Sequence, residues 1–352
     1  MKKTLAVLLA AIMMLVMLTA CGGNGGGSAP ADTSTPADTS APADTNIPDA
    51  PEGGGTIGVC IYQFTDAFMT TYRNALQEIL ESKGYQVTFQ DGANDQAKQN
   101  EQINTYITQG VDALIINPVM TSAADQIIAT VQAAGIPTVL INREPTAEQM
   151  AVYDKLVYVG CDAAQSGTFQ GELILDTPNK GDINGDGKVS YIMVQGDPEN
   201  IDAQLRTEYS VKALTDAGVE VEQLNLTRGD WMRERGQEIV ANDLAQFGMD
   251  IEVVFCNNDD MAIGALQSIQ AAGRKVNEDI YLVGVDALDA ALNEVQAGNM
   301  TGTVLNDAKG QATAAVEEME KLLGGATYSS GNQSVYVDYV KVTPDNVGDF
   351  MG

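Results

Sequence analysis

The sequence predicts an α/β fold built as two doubly wound lobes, and three observations lead there. From Thr56 onward, short β-branched runs alternate with longer amphipathic ones. The short runs are apolar throughout rather than at every second residue, which is the pattern of parallel strands covered by helices on both faces. The alternation also continues too long for one sheet, in a chain of 352 residues that has length for two cores.

Taken in order, the chain opens with an export signal over residues 1–20. Lys2 and Lys3 precede the apolar run LAVLLAAIMMLVML, and LTAC follows, ending at Cys21. Small residues before a cysteine at this place resemble a bacterial lipobox, so Cys21 is the expected site of lipidation and of membrane attachment. The apolar run is short for a membrane span. Residues 21–55 are then a Pro/Gly/Thr-rich tether repeating P-A-D-T, with little to bury and hence expected to be disordered. As a flexible coil it would let the lobes sit roughly 30 Å from the anchor.

Strand-like runs follow: TIGVCIY, QVTFQ, DALIIN, PTVLIN, VSYIMV, IEVVFC and YLVGVD. Helical patterns lie between them over residues 67–83, 95–108, 122–134, 202–217, 258–272 and 309–323. Cys60, Cys161 and Cys256 each sit in or beside an apolar run with no C-x-x-C spacing, and read as small buried hydrophobes.

Composition removes several functions. The formal charge of −29 repels phosphate backbones, which argues against nucleic acid as a partner. The chain has no histidine, so Ser/His/Asp and Cys/His catalysis and imidazole zinc sites are excluded. No phosphate-binding GxxxxGK[ST] loop is present either.

What remains is a set of polar residues at strand ends, where doubly wound folds collect ligands. Asp66, Asn117, Asn258 and Asp286 follow IGVCIYQFT, DALII, EVVFCN and YLVGV. The stretch DINGDGKVS, residues 182–190, places Asp182, Asn184 and Asp186 two apart before Gly187, the front half of a calcium loop. Position twelve, where such a loop closes on glutamate, is Met193. Either this is a decorated turn or its last carboxylate comes from elsewhere.

Ordered segments IGVCIYQFTDAFM, NDQAKQNEQI, YVGCDAAQSG, DINGDGK, VVFCNNDDMAIGA, GVDAL and GTVLNDAKGQA resemble the galactose/glucose-binding family of the periplasmic sugar-binding superfamily, from about Thr56 to residue 350. The resemblance implies two Rossmann-like lobes joined by a three-strand hinge and closing on one monosaccharide. The N-terminal lobe would be 56–135 plus 308–338, and the C-terminal lobe 136–307 plus 339–352. Carried over residue by residue, the sugar site falls on Asp66, Phe68, Asn117, Asp202, Arg206, Trp231, Asn258, Asp286 and Asn306. Asn200 joins them where the family has histidine, which leaves the preferred sugar open.

The chemistry is coherent on the residues alone. Carboxylates accept hydroxyl protons, Arg206 and the asparagines donate to oxygens, and Phe68 and Trp231 could stack on flat sugar faces. The competing readings are helix N-caps for Asp66 and Asp202, a core residue for Phe68 and a surface helix aromatic for Trp231. For the calcium loop, the resemblance supplies Glu252 as the closing carboxylate. Its ligand set would be Asp182, Asn184, Asp186, the Lys188 carbonyl, Ser190 in place of a longer glutamine, and Glu252, holding a structural Ca2+.

The function this implies is capture of D-galactose or D-glucose outside the cytoplasm and delivery to an ABC permease, by a monomer held at the membrane only through its lipid. Presentation of the sugar to a membrane sensor is a second role that the sequence does not separate from transport. A glycosidase would need two carboxylates and room for a leaving group, which lobes closed around one ring do not leave. A sugar-responsive repressor would carry a DNA-binding domain where this chain has its export signal and tether.

Overall fold

The computed structural model describes residues 54–351. The expected signal peptide, Cys21 and nearly all of the expected tether lie outside the described residues.

The chain runs β1 (Thr56–Ile61), α1 (Ala67–Ser82), β2 (Gln86–Asp91), α2 (Gln96–Gln109), β3 (Ala113–Ile116), α3 (Ala124–Ala134), β4 (Thr138–Ile141), the single turn α4 (Ala147–Met150) and β5 (Leu156–Gly160). It continues with α5 (Ala163–Leu175), β6 (Lys188–Gln195), α6 (Ile201–Asp216), β7 (Glu220–Arg228), α7 (Arg233–Phe247), β8 (Val253–Cys256), α8 (Asp259–Ala271), β9 (Tyr281–Val283), α9 (Asp289–Gln296) and β10 (Thr303–Leu305). It ends with α10 (Ala308–Leu323), β11 (Ser334–Tyr336) and β12 (Val340–Val342). The runs read as strands from sequence are β1, β2, β3, β4, β6, β8 and β9.

Two parallel sheets result. The first has the order β11-β5-β4-β3-β1-β2 and the second β7-β6-β8-β9. Strand β10 pairs antiparallel with β12 and touches the second sheet through single bridges at Gly302 and Leu305. The doubly wound α/β prediction therefore holds. One boundary does not. Residues 136–160 were assigned to the C-terminal lobe, but β4 pairs with β3 and β5 with β4, so both extend the first sheet. Helix α3 returns the chain to the edge it left, and each strand placed there satisfies the open hydrogen bonds of the one before.

The chain passes between the sheets three times: at 161–162 into α5, at 306–307 into α10, and at 337–339 into β12. Alternate residues of each strand face opposite sides, and each side has its own core. On the first sheet Val59, Ile115, Val139 and Val157 pack under α1 and α10, while Cys60, Leu114, Ile116 and Leu140 pack under α2 and α3. On the second, Val194, Val254 and Leu282 face α7 and α8, while Met193, Phe255 and Val283 face the opposite side with Leu173 of α5. Each such aliphatic burial stabilises by about 1.5–3 kcal/mol. This two-sided demand is why the strands are apolar at every position. Cys60, Cys161 and Cys256 are free thiols, all buried.

Candidate functional site

In each sheet the strand order reverses beside one strand: β1 lies between β2 and β3, and β6 between β7 and β8. Loops leaving neighbouring strands at such a point turn to opposite sides and open a crevice at their carboxyl ends. The two crevices face each other. Tyr62, Asp66, Phe68, Met69, Asn142 and Arg143 from the first lobe meet Asn200, Asp202, Arg206, Trp231, Asn258 and Asp286 from the second, with Asn306 at a crossover. They enclose one cavity between the lobes. Every expected sugar-site residue except Asn117 lines it.

Local structure aims these side chains. Asp66, Asn200 and Asn258 are the N-caps of α1, α6 and α8, accepting from the amides of Met69, Asp202 and Met261. The N-cap reading of Asp66 is thus correct and coexists with a place in the cavity wall. Asp202 is not a cap; it sits in the first turn of α6, buried, with its carboxylate 3.7 Å from Arg206. Phe68 is likewise both core and wall, packed edge-on against Tyr72 with centroids 6.0 Å apart. Trp231 lies before α7, not on it. Asp230 and Trp231 are both left-handed, with φ of 54° and 66°, and this turn brings the indole against Gly196. A β-carbon at Gly196 would lie 2.3 Å from the indole, so only glycine fits there.

Arg206 is the electrostatic centre. Its guanidinium donates to the Asn257 carbonyl at 2.8 Å and the Tyr339 hydroxyl at 3.0 Å, and stands 3.9 Å from Asp286. Burial opposes its charge, but Tyr339, Asp286 and Asp202 outweigh that and raise its pKa. Asp66, Asp202 and Asp286 are all pushed above the usual carboxylate range, chiefly by burial. Asp286 also carries an unusual φ of 123°. Behind the ring, Asp259 accepts from the Thr303 hydroxyl at 2.6 Å and the Leu288 amide at 2.9 Å, and burial moves its pKa to about 7.

Two buried donors are left over. The Nε of Arg143 and that of Arg206, one from each lobe, have no hydrogen-bond partner. An unpaired buried N–H costs about 1–3 kcal/mol.

Asn117 requires correction. It is fully buried behind the wall, its oxygen 3.4 Å from the Tyr62 amide that donates to it and its amide donating to Asn142 at 3.2 Å. It bonds to Asn142 of the wall and does not line the cavity itself. Asn142 and Arg143, with Tyr62 and Met69, went unassigned in the sequence. Asn142 obeys the same strand-end rule that selected Asp66. Tyr62 donates to Asp66 at 2.6 Å, and the Arg143 guanidinium lies 4.1 Å above the Tyr62 ring.

The calcium-like loop is a separate region. Glu252, buried at the start of the second sheet's third strand, does reach it, accepting from the amides of Ile183, Asn184 and Ser190 at 2.7–2.9 Å. Asp182 accepts from Gly185 and Gly187, Asn184 from Asp186, and Asp186 from Lys188. Among the described residues, no three His, Cys, Asp or Glu side chains are gathered closely enough to hold a metal.

Residues 57–327 match the family described as periplasmic binding protein domain. The chain belongs to that family. Its members are solute-binding proteins rather than enzymes. A D-galactose/methyl-galactoside binding periplasmic protein of Haemophilus influenzae is 36% identical over 308 residues, spanning 84% of this chain and 91% of that protein. A putative rhizopine-binding protein of Rhizobium meliloti is 33% identical over 300 residues, with 84% and 93% covered. An ABC transporter solute-binding protein of Bacillus halodurans, solved with bound myo-inositol, superposes with a TM-score of 0.73 at 30% identity, covering 85% of this chain and 98% of that one.

Proposed function

We propose that this protein captures a monosaccharide, D-galactose or D-glucose, outside the cytoplasm and delivers it to an ABC importer. The observation that carries the reading is the ring itself. Three buried carboxylates can accept hydroxyl protons, two unpaired guanidinium N–H groups can donate to ring and hydroxyl oxygens, and Phe68 and Trp231 stand in the same wall. A hexose is a neutral, flat body with donors and acceptors alternating around its rim, and this set answers it. The 36% identity to a galactose binder supports the same choice.

The ring is enclosed between the lobes, so sugar enters as they part about the three crossovers and then stabilises the closed form, which the importer reads. Micromolar affinity needs about −8 kcal/mol after ordering costs, within reach of such a ring. Asn200 accepts the Asp202 amide with one lone pair of its oxygen, leaving its NH2 and the second lone pair for the ligand. A cyclitol is the second reading, favoured by the 30% identity to a protein solved with bound myo-inositol.

Lipid attachment at Cys21, the monomeric state and a calcium ion at residues 182–190 complete the proposal. For calcium, the support is the donor chemistry: hard oxygens from Asp182, Asn184, Asp186 and Glu252, each keeping lone pairs beyond the N–H it accepts. Among the described residues no helix is long and apolar enough to cross a membrane. Calorimetric titration with galactose, glucose, ribose and myo-inositol tests the reading. Micromolar binding of galactose or glucose supports it, preference for myo-inositol replaces the hexose with a cyclitol, and no heat with any of them removes it.

A further inference from the structure

We infer that Gln311, a residue of α10 outside the ring, fixes which way the Asn306 amide faces and so makes Asn306 a hydrogen-bond donor to the bound sugar. This rests on the sugar-binding reading above. Gln311 is 1% exposed, and its Nε2 donates to Asn306 Oδ1 at 2.6 Å. The Cys161 thiol stands 3.5 Å from the same oxygen. Both donors therefore converge on one end of the amide. The other end, Nδ2, donates to Asp286 Oδ1 at 3.2 Å and lines the cavity.

The geometry leaves one good orientation. Turned over, Asn306 would set its oxygen against the Asp286 carboxylate and its NH2 against the NH2 of Gln311 and the thiol. Two acceptors would face each other in a buried site, and so would two sets of donors. Asp286 itself is held by Arg206 at 3.9 Å and has little freedom at its φ of 123°. The relay Gln311–Asn306–Asp286 thus joins a helix of the first lobe to the second lobe across a crossover, with Cys161 of another crossover beside it. Asn306 presents N–H to a ligand only while Gln311 presents N–H to Asn306.

A glutamate at 311 has the same shape but, when ionised, only accepts. It would turn the Asn306 amide and point oxygen at Asp286. Around this joint, Cys161 feels Asp202, Asp286, Asp307 and Arg206 and neighbours Tyr72, Tyr158 and Tyr339, while Asp286 also feels Asp259 and Asp66. The acids outnumber the one guanidinium, so a carboxylate added here is raised in pKa. Its neutral form is favoured on folding, and stability falls as pH rises.

The test compares wild type, Gln311→Met and Gln311→Glu as full chains. Each is melted without sugar at about pH 5 and pH 8, and titrated with D-galactose and D-glucose at both. The methionine variant should bind about three- to tenfold more weakly than wild type at either pH. The glutamate variant should lose about tenfold or more at pH 8 and regain most of it at pH 5, where its acid O–H can donate. Its melting gap below wild type should widen from pH 5 to pH 8. If both variants show the same pH-independent gap and the same loss, Gln311 only fills space and the inference falls. If wild type binds neither sugar, the hexose reading fails by itself, and the pH dependence of the melting gap still decides the relay.

Discussion

The ring between the lobes and the loop at residues 182–190 are built from the same residue types, and their polar atoms have different fates. In the loop, Asp182, Asn184 and Asp186 turn back to accept amides of their own segment, and the buried Glu252 ties the turn to the second sheet. Such a turn satisfies its own amides, and the capacity it keeps is acceptor lone pairs, which suit a cation. In the ring, Asp66, Asp202 and Asp286 come from different elements, are desolvated enough to raise their pKa values, and share the wall with two guanidinium N–H groups that have no partner. Oxygen-rich clusters are alike in sequence. What separates a ligand site from a turn is whether burial leaves hydrogen-bonding capacity unspent.

The largest expected effect breaks the ring at its centre. Arg206→Ala leaves Asp202 and Asp286 facing each other without their cation, and losing one partner of a buried charged set costs about 2–5 kcal/mol. Hexose affinity measured by calorimetry should fall about thirtyfold or more. Wild-type affinity in this variant would mean the ring is not where sugar sits.

A second prediction concerns pH. Asp259 has a folded pKa of about 7 against an ordinary 3.8, so the folded state binds its proton more tightly than the unfolded chain. Stability from this group is full below 3.8 and is lost as pH rises toward 7. Asp66, Asp202 and Asp286 shift in the same direction. The melting temperature should therefore be higher at about pH 5 than at pH 8, and Asp259→Asn should flatten part of that slope. A melting temperature that rises between pH 5 and 8 would contradict this reading of the buried acids.

The smallest effect is expected at the loop. If calcium binds, saturating Ca2+ over chelator stabilises by about 2–3 kcal/mol at a hundredfold excess over Kd, read as a higher melting temperature. Asp182→Ala should erase that difference while changing sugar affinity less than about twofold, since the loop lies outside the ring. An identical melt in calcium and chelator would make the loop a turn and sharpen the contrast with the ring.

Much of this was legible beforehand, for physical reasons. Strands β1, β3, β4 and β8 must be apolar on both faces, so they announce themselves. Asp66, Asn258 and Asp286 stand at strand ends, where the fold opens its crevice. What stayed hidden depended on pairing that no local pattern encodes. Strand β4 belongs to the first sheet because β3 offers it an open edge, and β5 then takes the edge of β4. Asn117 satisfies the strand-end rule but is fully buried, bonded to Asn142, and does not line the cavity. The short strands β10, β11 and β12 carry three residues each and leave almost no periodicity to read.

The central claim, that sugar is held inside this ring, is met most directly by the emission of Trp231, the single tryptophan of the chain. Titrating the protein with D-galactose and D-glucose should give a saturable change in that emission, with the same midpoint as the calorimetric heat. Heat of binding with Trp231 emission unmoved would place the sugar somewhere else on the molecule.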